Sequence, residues 1–326
     1  MRILVTGGSG FMGSNYIYHL IKRAKERKIS CVYNYSKETY AVHNRTLEEA
    51  SFKNRFLNIE GDILDSAKLL ETLTLLDIDW IVHFAAETHV DRSFKYPEEF
   101  IQTNIVGTFR LLEAIRHLPK KSRPKLIHIS TDEVFGDISY GHCVEDTVLK
   151  PQNPYSATKA AIESLLHAWR VSYGLDIRII RPTNNYGPRQ HPEKLIAKVI
   201  TRALDNRSFT LWKGHAFRNW LYVEDLCSAI DFVMDRGRNG EAYNVSSVDN
   251  VSVDQIKNII LKLMKKEHLF TGYIGQRFKL DQRYALNCDK IKKLGWRQRT
   301  KFEQGIQQTI EWYKANAWFW QGVWSQ

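Results

Sequence analysis

The stretch Arg2-Ile3-Leu4-Val5-Thr6-Gly7-Gly8-Ser9-Gly10-Phe11-Met12-Gly13 decides the fold. Its first residues are apolar and β-branched, as a strand buried in a parallel sheet should be. Three glycines spaced three apart follow at once, and a helical pattern begins around Ser14. A turn without Cβ atoms between strand and helix lets backbone approach a pyrophosphate, whose charge meets the helix N-terminal amides. The spacing is GxxGxxG and not GxGxxG, and isolated glycines also mark plain turns. Its place after the first strand is what points to a dinucleotide.

Outward from this loop, further apolar strands are expected at 31–33, 55–57, 80–84, 125–129 and 176–180, separated by helical patterns at 66–76, 98–118 and 155–173. Such alternation predicts an α/β fold, a Rossmann-type doubly wound parallel sheet covered on both faces. After about residue 182 the pattern loosens. Pro182, Pro188 and Pro192 punctuate a loop, with helices expected at 193–206, 253–266 and 302–315, a further pattern at 219–236 and a strand at 243–246. We expect a dinucleotide-binding domain over 1–181 plus about 219–248. A smaller mixed α/β substrate lobe would comprise 182–218 and 249–326.

The chain has 326 residues, of which 43% are hydrophobic and 25% charged, so wholesale disorder is excluded. No apolar run reaches the length of a membrane span, and Met1–Thr6 lacks the zones of a signal peptide. The expectation is a cytoplasmic protein without a membrane partner. Lys and Arg exceed Asp and Glu by 47 to 36, a net charge of +11. The basic residues are scattered and form no arm or patch, which argues against nucleic acid and suits small phosphate-rich ligands. Cys31, Cys143, Cys227 and Cys288 are far apart, without CxxC pairing, so neither a metal site nor a disulfide framework is expected. The five Asn-x-Ser/Thr sequons are read as chance.

An acidic residue ending the second strand normally grips the NAD ribose. Here Ser36 stands there, followed by Lys37, which leaves NAD and NADP both open. Asp62 ends a later strand and could accept from the adenine amino group or cap the next helix. Tyr155 and Lys159 are four apart on a strong helical pattern, hence on one face, where an ammonium can stabilise a phenolate and make it a base. Ser130-Thr131-Asp132-Glu133-Val134-Phe135-Gly136 follows an apolar strand, so Thr131, Asp132 and Glu133 would reach a cleft at the strand ends. Two adjacent carboxyls there can divide acid and base work if their environments differ. Asp132 as a turn cap is the plainer alternative.

Together with His83-Phe84-Ala85-Ala86-Glu87-Thr88-His89, Pro154-Tyr155-Ser156-Ala157-Thr158-Lys159, Asn184-Asn185-Tyr186-Gly187-Pro188 and Arg218-Asn219-Trp220-Leu221-Tyr222, these motifs carry a resemblance. The chain resembles extended short-chain dehydrogenases/reductases, and among them the nucleotide-sugar 4,6-dehydratases acting on dTDP- or UDP-glucose. The Thr-Asp-Glu run is the discriminating feature. The resemblance implies Thr131, Asp132, Glu133, Tyr155 and Lys159 as catalytic residues, with a tightly bound NAD, or NADP, that passes a hydride from C4 to C6. It implies cofactor contacts at Gly7, Gly10, Phe11, Met12, Gly13, Ser36, Lys37, Tyr40, Asp62, Ile63, Ala85, Tyr155 and Lys159. Sugar-nucleotide contacts are expected at Thr88, Asn184, Glu193, Lys194, Leu195, Arg218, Arg283 and Tyr284, with Arg218 and Arg283 on the diphosphate.

The resemblance also implies deoxysugar synthesis, such as that of rhamnose, and a homodimer paired through the helices at 98–118 and 155–173. Three positions depart from the family pattern: Ser36, Phe135 in place of a frequent tyrosine, and the segment 278–284, where Gln282 supplies no charge. Uridine or thymidine selectivity is not legible. A nucleotide-sugar 4-epimerase and a non-catalytic dinucleotide-binding protein are the alternatives, against which Asp132-Glu133 and the intact five-residue set argue. The aromatic end Trp318-Phe319-Trp320-Gln321-Gly322-Val323-Trp324 is expected to pack on the small lobe or a partner subunit, and not to anchor at a membrane.

Overall fold

A computed structural model describes residues 1–323 except 52, 139, 214–216 and 277–282. The chain runs β1 (Arg2–Thr6), α1 (Phe11–Lys22), β2 (Cys31–Ser36), α2 (Glu48–Ser51), β3 (Phe56–Glu60), α3 (Ser66–Leu76) and β4 (Trp80–His83). It continues through α4 (Val90–Lys95), α5 (Pro97–Phe100), α6 (Gly107–His117), β5 (Lys125–Ile129), α7 (Pro154–Tyr173) and β6 (Ile177–Pro182). Then follow β7 (Asn184–Tyr186), α8 (Leu195–Leu204), β8 (Phe209–Lys213), β9 (Phe217–Tyr222), α9 (Val223–Arg236) and β10 (Ala242–Val245). The last elements are β11 (Asn250–Ser252), α10 (Val253–Met264), β12 (Phe270–Gln276), α11 (Asp289–Lys293) and α12 (Phe302–Ala315).

Seven strands form one parallel sheet in the order β10-β6-β5-β4-β1-β2-β3. The order reverses beside β1, which opens a crevice beyond the strands' carboxyl ends, over the glycine loop. Strand alternation divides the apolar side chains between the two faces. Ile3, Val5, Val32 and Val82 join Tyr16, Ile17 and Leu20 of α1 and Leu226, Ile230 and Val233 of α9. Leu4, Ile81, Leu126 and Ile177 face Leu69 and Leu73 of α3, Leu111 and Ile115 of α6, and Ile162 and Leu166 of α7. The sheet is therefore doubly wound, as the strand–helix alternation predicts.

A separate core joins Ile196, Val199 and Ile200 of α8 to Ile256 and Ile260 of α10 and Ile306, Ile310 and Tyr313 of α12. Two small sheets accompany it, β11-β9-β7 and β12-β8. The pattern at 219–236 resolves into the strand β9 and the helix α9, whose first turn carries Glu224 and Asp225 as the helix dipole favours. Phe319 and Trp320 are buried in this core, and the Trp320 indole donates to the Tyr313 carbonyl at 2.9 Å. Phe319 and Trp320 thus pack in this core, and the Trp318 ring also meets His43 and Arg45, each at 4.8 Å; Trp324 lies outside the described residues.

The single helix expected over 98–118 is interrupted. Ile101–Val106 forms a π turn between α5 and α6. Buried Asn104 sits within it and exchanges bonds with the Glu87 backbone, accepting from N–H at 2.8 Å and donating to C=O at 3.1 Å. It also donates to Thr158 at 3.0 Å. The widened turn thus ties α7 to the segment after β4, a local irregularity beside the site.

Candidate active site

The glycine loop has the shape of a cradle. Gly7 adopts φ +68, and a Cβ there would meet the Ala85 amide nitrogen at 2.6 Å. A Cβ on Gly13 would come within 2.5 Å of the Gly7 carbonyl oxygen. Only bare backbone fits, so the start of α1 lies open to a diphosphate; the residues present fit a dinucleotide. At the end of β2, the Ser36 hydroxyl donates to the Ser9 hydroxyl at 2.8 Å, and Lys37 Nζ pairs with an Asp62 oxygen at 2.8 Å. Asp62 does not cap α3. Asp65 does, accepting from the Lys68 amide at 3.0 Å, while Asp62 stays on the cleft wall.

The cleft encloses about 570 Å³. Its wall brings together Gly7, Gly10, Phe11, Met12, Gly13, Ser36, Lys37, Tyr40, Asp62, Ile63 and Ala85 with Thr131, Asp132, Glu133, Tyr155 and Lys159. Thr88, Asn184, Glu193, Lys194, Leu195 and Arg218 complete its other side. Several of these side chains bridge the cleft wall. Tyr40 OH donates to Glu193 at 3.4 Å, Lys194 Nζ donates to the Thr88 carbonyl at 3.4 Å, and His89 stands 3.6 Å from Glu193.

Arg283 and Tyr284 are not brought to this wall. The Arg283 guanidinium donates to the Gly141 carbonyl at 2.9 Å, and its backbone N–H to Asp137 at 2.8 Å. The pairing of this segment beside Phe217 turns Arg283 toward the loop after the acidic turn, while Arg218 lies on the cleft wall. Tyr284 acts beneath it, with the Arg218 guanidinium 4.6 Å from its ring centroid. The remainder of the 278–284 departure, residues 278–282, lies outside the described residues.

Asp132, Glu133, Val134 and Phe135 form one 3₁₀ turn directly after β5. Thr131, not Asp132, caps it, accepting from the Glu133 amide at 3.3 Å and donating to Asp132 Oδ1 at 3.2 Å. Asp132 is 3% exposed, and burial, then the neighbouring Glu133, lifts its carboxyl to about 7. It can therefore hold a proton near neutrality, as a general acid must. Glu133 is less buried and accepts from the Asn153 amide at 3.1 Å.

Asn153 also caps α7, accepting from the Ser156 amide at 2.8 Å. It thereby anchors Glu133 to the helix that carries Tyr155. Motif reasoning missed this residue, although Asn153-Pro154-Tyr155-Ser156 is a legible capping box.

Tyr155 and Lys159 are both buried on α7. Burial raises the phenol well above its ordinary value, and Glu133 and Asp132 raise it further, against a hydrogen bond with Thr131. Burial lowers Lys159 to about 8, opposed by the charge of Glu163, and its Nζ donates to the Ile129 carbonyl at 2.7 Å. Burial of the phenol and the two carboxyl groups beside it thus act against the expected low phenol pKa. Among the described residues no group of His, Cys, Asp and Glu is placed to hold a metal ion. Nor is any helix long and apolar enough to cross a membrane.

The sheet, its switch-point crevice and the Tyr-Lys helix are those of an extended short-chain dehydrogenase/reductase. A profile of the GDP-mannose 4,6 dehydratase family matches residues 4–309. The dTDP-glucose 4,6-dehydratase of Salmonella typhimurium is 40% identical over 342 residues, covering 97% of this chain and 93% of the relative. The structure of DesIV, a dTDP-glucose 4,6-dehydratase from Streptomyces venezuelae solved with NAD and TYD bound, superposes with a TM-score of 0.93 at 36% identity, over 99% of this chain and 100% of that one. A UDP-glucose 4-epimerase from Thermotoga maritima, solved with UDP-glucose, reaches 0.87 at 26% identity over 97% and 100% of the two chains. The chain belongs to the GDP-mannose 4,6-dehydratase family and is a nucleotide-sugar 4,6-dehydratase, a hydro-lyase.

Proposed function

We propose that this enzyme dehydrates a nucleoside-diphosphate glucose, dTDP-glucose or UDP-glucose, to its 4-keto-6-deoxy derivative and so feeds deoxysugar synthesis such as that of rhamnose. The observation that carries this reading is the acidic turn, which sets a buried, protonatable Asp132 beside a less buried Glu133 in the wall of the cofactor cleft. An epimerase needs neither group. NAD is the cofactor we favour, in keeping with the dinucleotide held by DesIV. The hydroxyl pair Ser9–Ser36 and the neutralised pair Lys37–Asp62 leave room for NADP as well.

When bound, the dinucleotide supplies the hydride acceptor for C4, the donor for C6 and a positive charge beside the phenol. The protein groups do the proton work. Tyr155 takes the proton of the 4-hydroxyl, with Thr131 hydrogen-bonded to the same oxygen and Lys159 supplying positive charge from one turn along α7. Oxidation at C4 acidifies the proton on C5, which Glu133 removes. Asp132 donates its proton to the departing 6-hydroxyl, so that water leaves, and Glu133 returns a proton, exchangeable with solvent, to C5 as C6 gains its hydride. Arg218 forks onto the diphosphate, held in line by the Tyr284 ring beneath it.

Thr88, Asn184, Glu193, Lys194 and Leu195 contact the sugar nucleotide, and no net oxidation occurs, so the cofactor stays bound between cycles. Pairing of two copies through the α5–α6 and α7 faces makes the homodimer we expect. Product analysis tests the proposal: purified enzyme given either glucose nucleotide should form a 4-keto-6-deoxy sugar without consuming added dinucleotide. Failure with both, in protein shown to carry dinucleotide, would refute it.

A further inference from the structure

Behind the acidic turn lies a buried ion pair whose members do not line the cleft, although the Glu163 charge also bears on Lys159. Glu163 stands one turn past Lys159 and two past Tyr155, so all three share one face of α7. Arg181, near the end of β6, meets it with a fork. Nε lies 3.0 and 3.1 Å from the two carboxylate oxygens, and Nη2 lies 2.6 Å from Oε2. Both side chains are withdrawn from water, at 7% and 5% exposure. Each partner also reaches forward. The Ser130 hydroxyl donates to Glu163 Oε1 at 2.6 Å, and the Arg181 guanidinium lies 5.0 Å from the centroid of the Phe135 ring. A remaining Arg181 donor is fixed on the Glu145 carbonyl at 2.7 Å.

Ser130 and Phe135 bracket the three residues that carry the elimination. A single 3₁₀ turn has little stiffness of its own, so its position must be set from its ends. Here both ends rest on one rigid ion pair, which is itself seated on the helix of Tyr155 and Lys159. We propose that the Glu163–Arg181 pair is a positioning clamp that fixes Thr131, Asp132 and Glu133 relative to Tyr155. This inference rests on the dehydratase reading for its effect on turnover, though not for its effect on the turn itself.

A pair serving fold stability alone would be replaceable by well-packed apolar groups and would need no tie to the turn. The Ser130 bond and the Phe135 contact are those ties. They also give Phe135, where tyrosine is frequent in similar enzymes, a role that needs only its ring, as the face on which Arg181 rests. Glu163 and Arg181 remain positioning residues, since neither lines the cleft.

Two holoenzyme variants test the clamp. Ser130→Ala cuts one tie and leaves the pair intact, while Arg181→Lys keeps the charge but not the fork. Active sites are counted by the dinucleotide released on denaturation, and kcat and KM are measured with the glucose nucleotide that the wild type turns over. Amide hydrogen exchange over residues 130–136 is followed by mass spectrometry without substrate. The clamp predicts that kcat per site falls about tenfold or more in both variants while KM stays within about twofold, because misplacement of reacting groups is felt in the chemistry.

It also predicts that exchange in 130–136 accelerates about tenfold or more while the β1–α1 segment is unchanged. Unchanged kcat per site and unchanged exchange, with only a lower melting temperature, would overturn it. A wild type that makes no keto sugar but shows the exchange effect would refute the dehydratase reading and leave the clamp standing.

Discussion

Replacing Asp132 by asparagine tests the buried acid through stability as well as rate. Asp132 is 3% exposed, and burial followed by the Glu133 charge raises its carboxyl from 3.8 to about 7, against a weaker opposing pull from Arg218. In the unfolded chain the group ionises near pH 4, whereas in the folded protein it keeps its proton until about 7. Wild-type stability from this group is therefore fully present below pH 4. It declines as pH rises, levelling off above pH 7 when both states are ionised.

At about 1.4 kcal/mol per pH unit the loss is about 2 kcal/mol at pH 5 and about 4 kcal/mol at pH 8.5. Asparagine has no such dependence. The stability of Asp132→Asn relative to wild type should thus rise by roughly 2 to 3 kcal/mol between pH 5 and pH 8.5. Urea unfolding at both pH values, with saturating dinucleotide, measures this directly. A difference that does not change with pH, or that moves in the opposite direction, would refute the buried-acid argument. The same variant should lose dehydration by about 10²–10⁴-fold while retaining solvent exchange at C5.

Glu133→Gln should show the converse loss, with C5 exchange with solvent falling at least about 100-fold and nucleotide-sugar binding little changed; deuterium wash-in monitored by NMR checks it. Gly13→Ala puts a methyl 2.5 Å from the Gly7 carbonyl, where only backbone could give way. It should cost about 1 to 3 kcal/mol of stability and abolish dinucleotide retention, read by unfolding and by the absorbance of released cofactor. Ser36→Asp sets a carboxylate beside the Ser9 hydroxyl and should weaken NADP binding by about tenfold or more while leaving NAD within about threefold, measured by calorimetry.

Much of this site is legible in the chain because its parts are local. Gly7–Gly13 is one turn, Tyr155 and Lys159 are one helical turn apart, and Thr131–Glu133 follows a strand that had to end at the crevice. What was not legible depends on how separate elements meet. Arg283 has the right chemistry for a diphosphate, but its pairing beside Phe217 aims it at Gly141. Asp62, read in the sequence as an adenine contact or as a cap for the next helix, stands on the cleft wall, and Asp65 caps α3. The phenol of Tyr155 has an ammonium one turn away, yet its burial could not be weighed before the cleft was closed around it. The π turn around Asn104 and the fork of Arg181 on Glu163 join elements that share no motif, so no spacing announces them.

Isotope tracing offers the most direct test of the central claim. Glucose nucleotide carrying deuterium at C4 is converted by the holoenzyme, and the label is located in the product by NMR. Internal hydride transfer coupled to elimination by Asp132 and Glu133 predicts deuterium at C6 of a 4-keto-6-deoxy sugar, with a solvent proton at C5. Deuterium remaining at C4 of an unreduced hexose of inverted configuration, or its loss to solvent, would contradict the account.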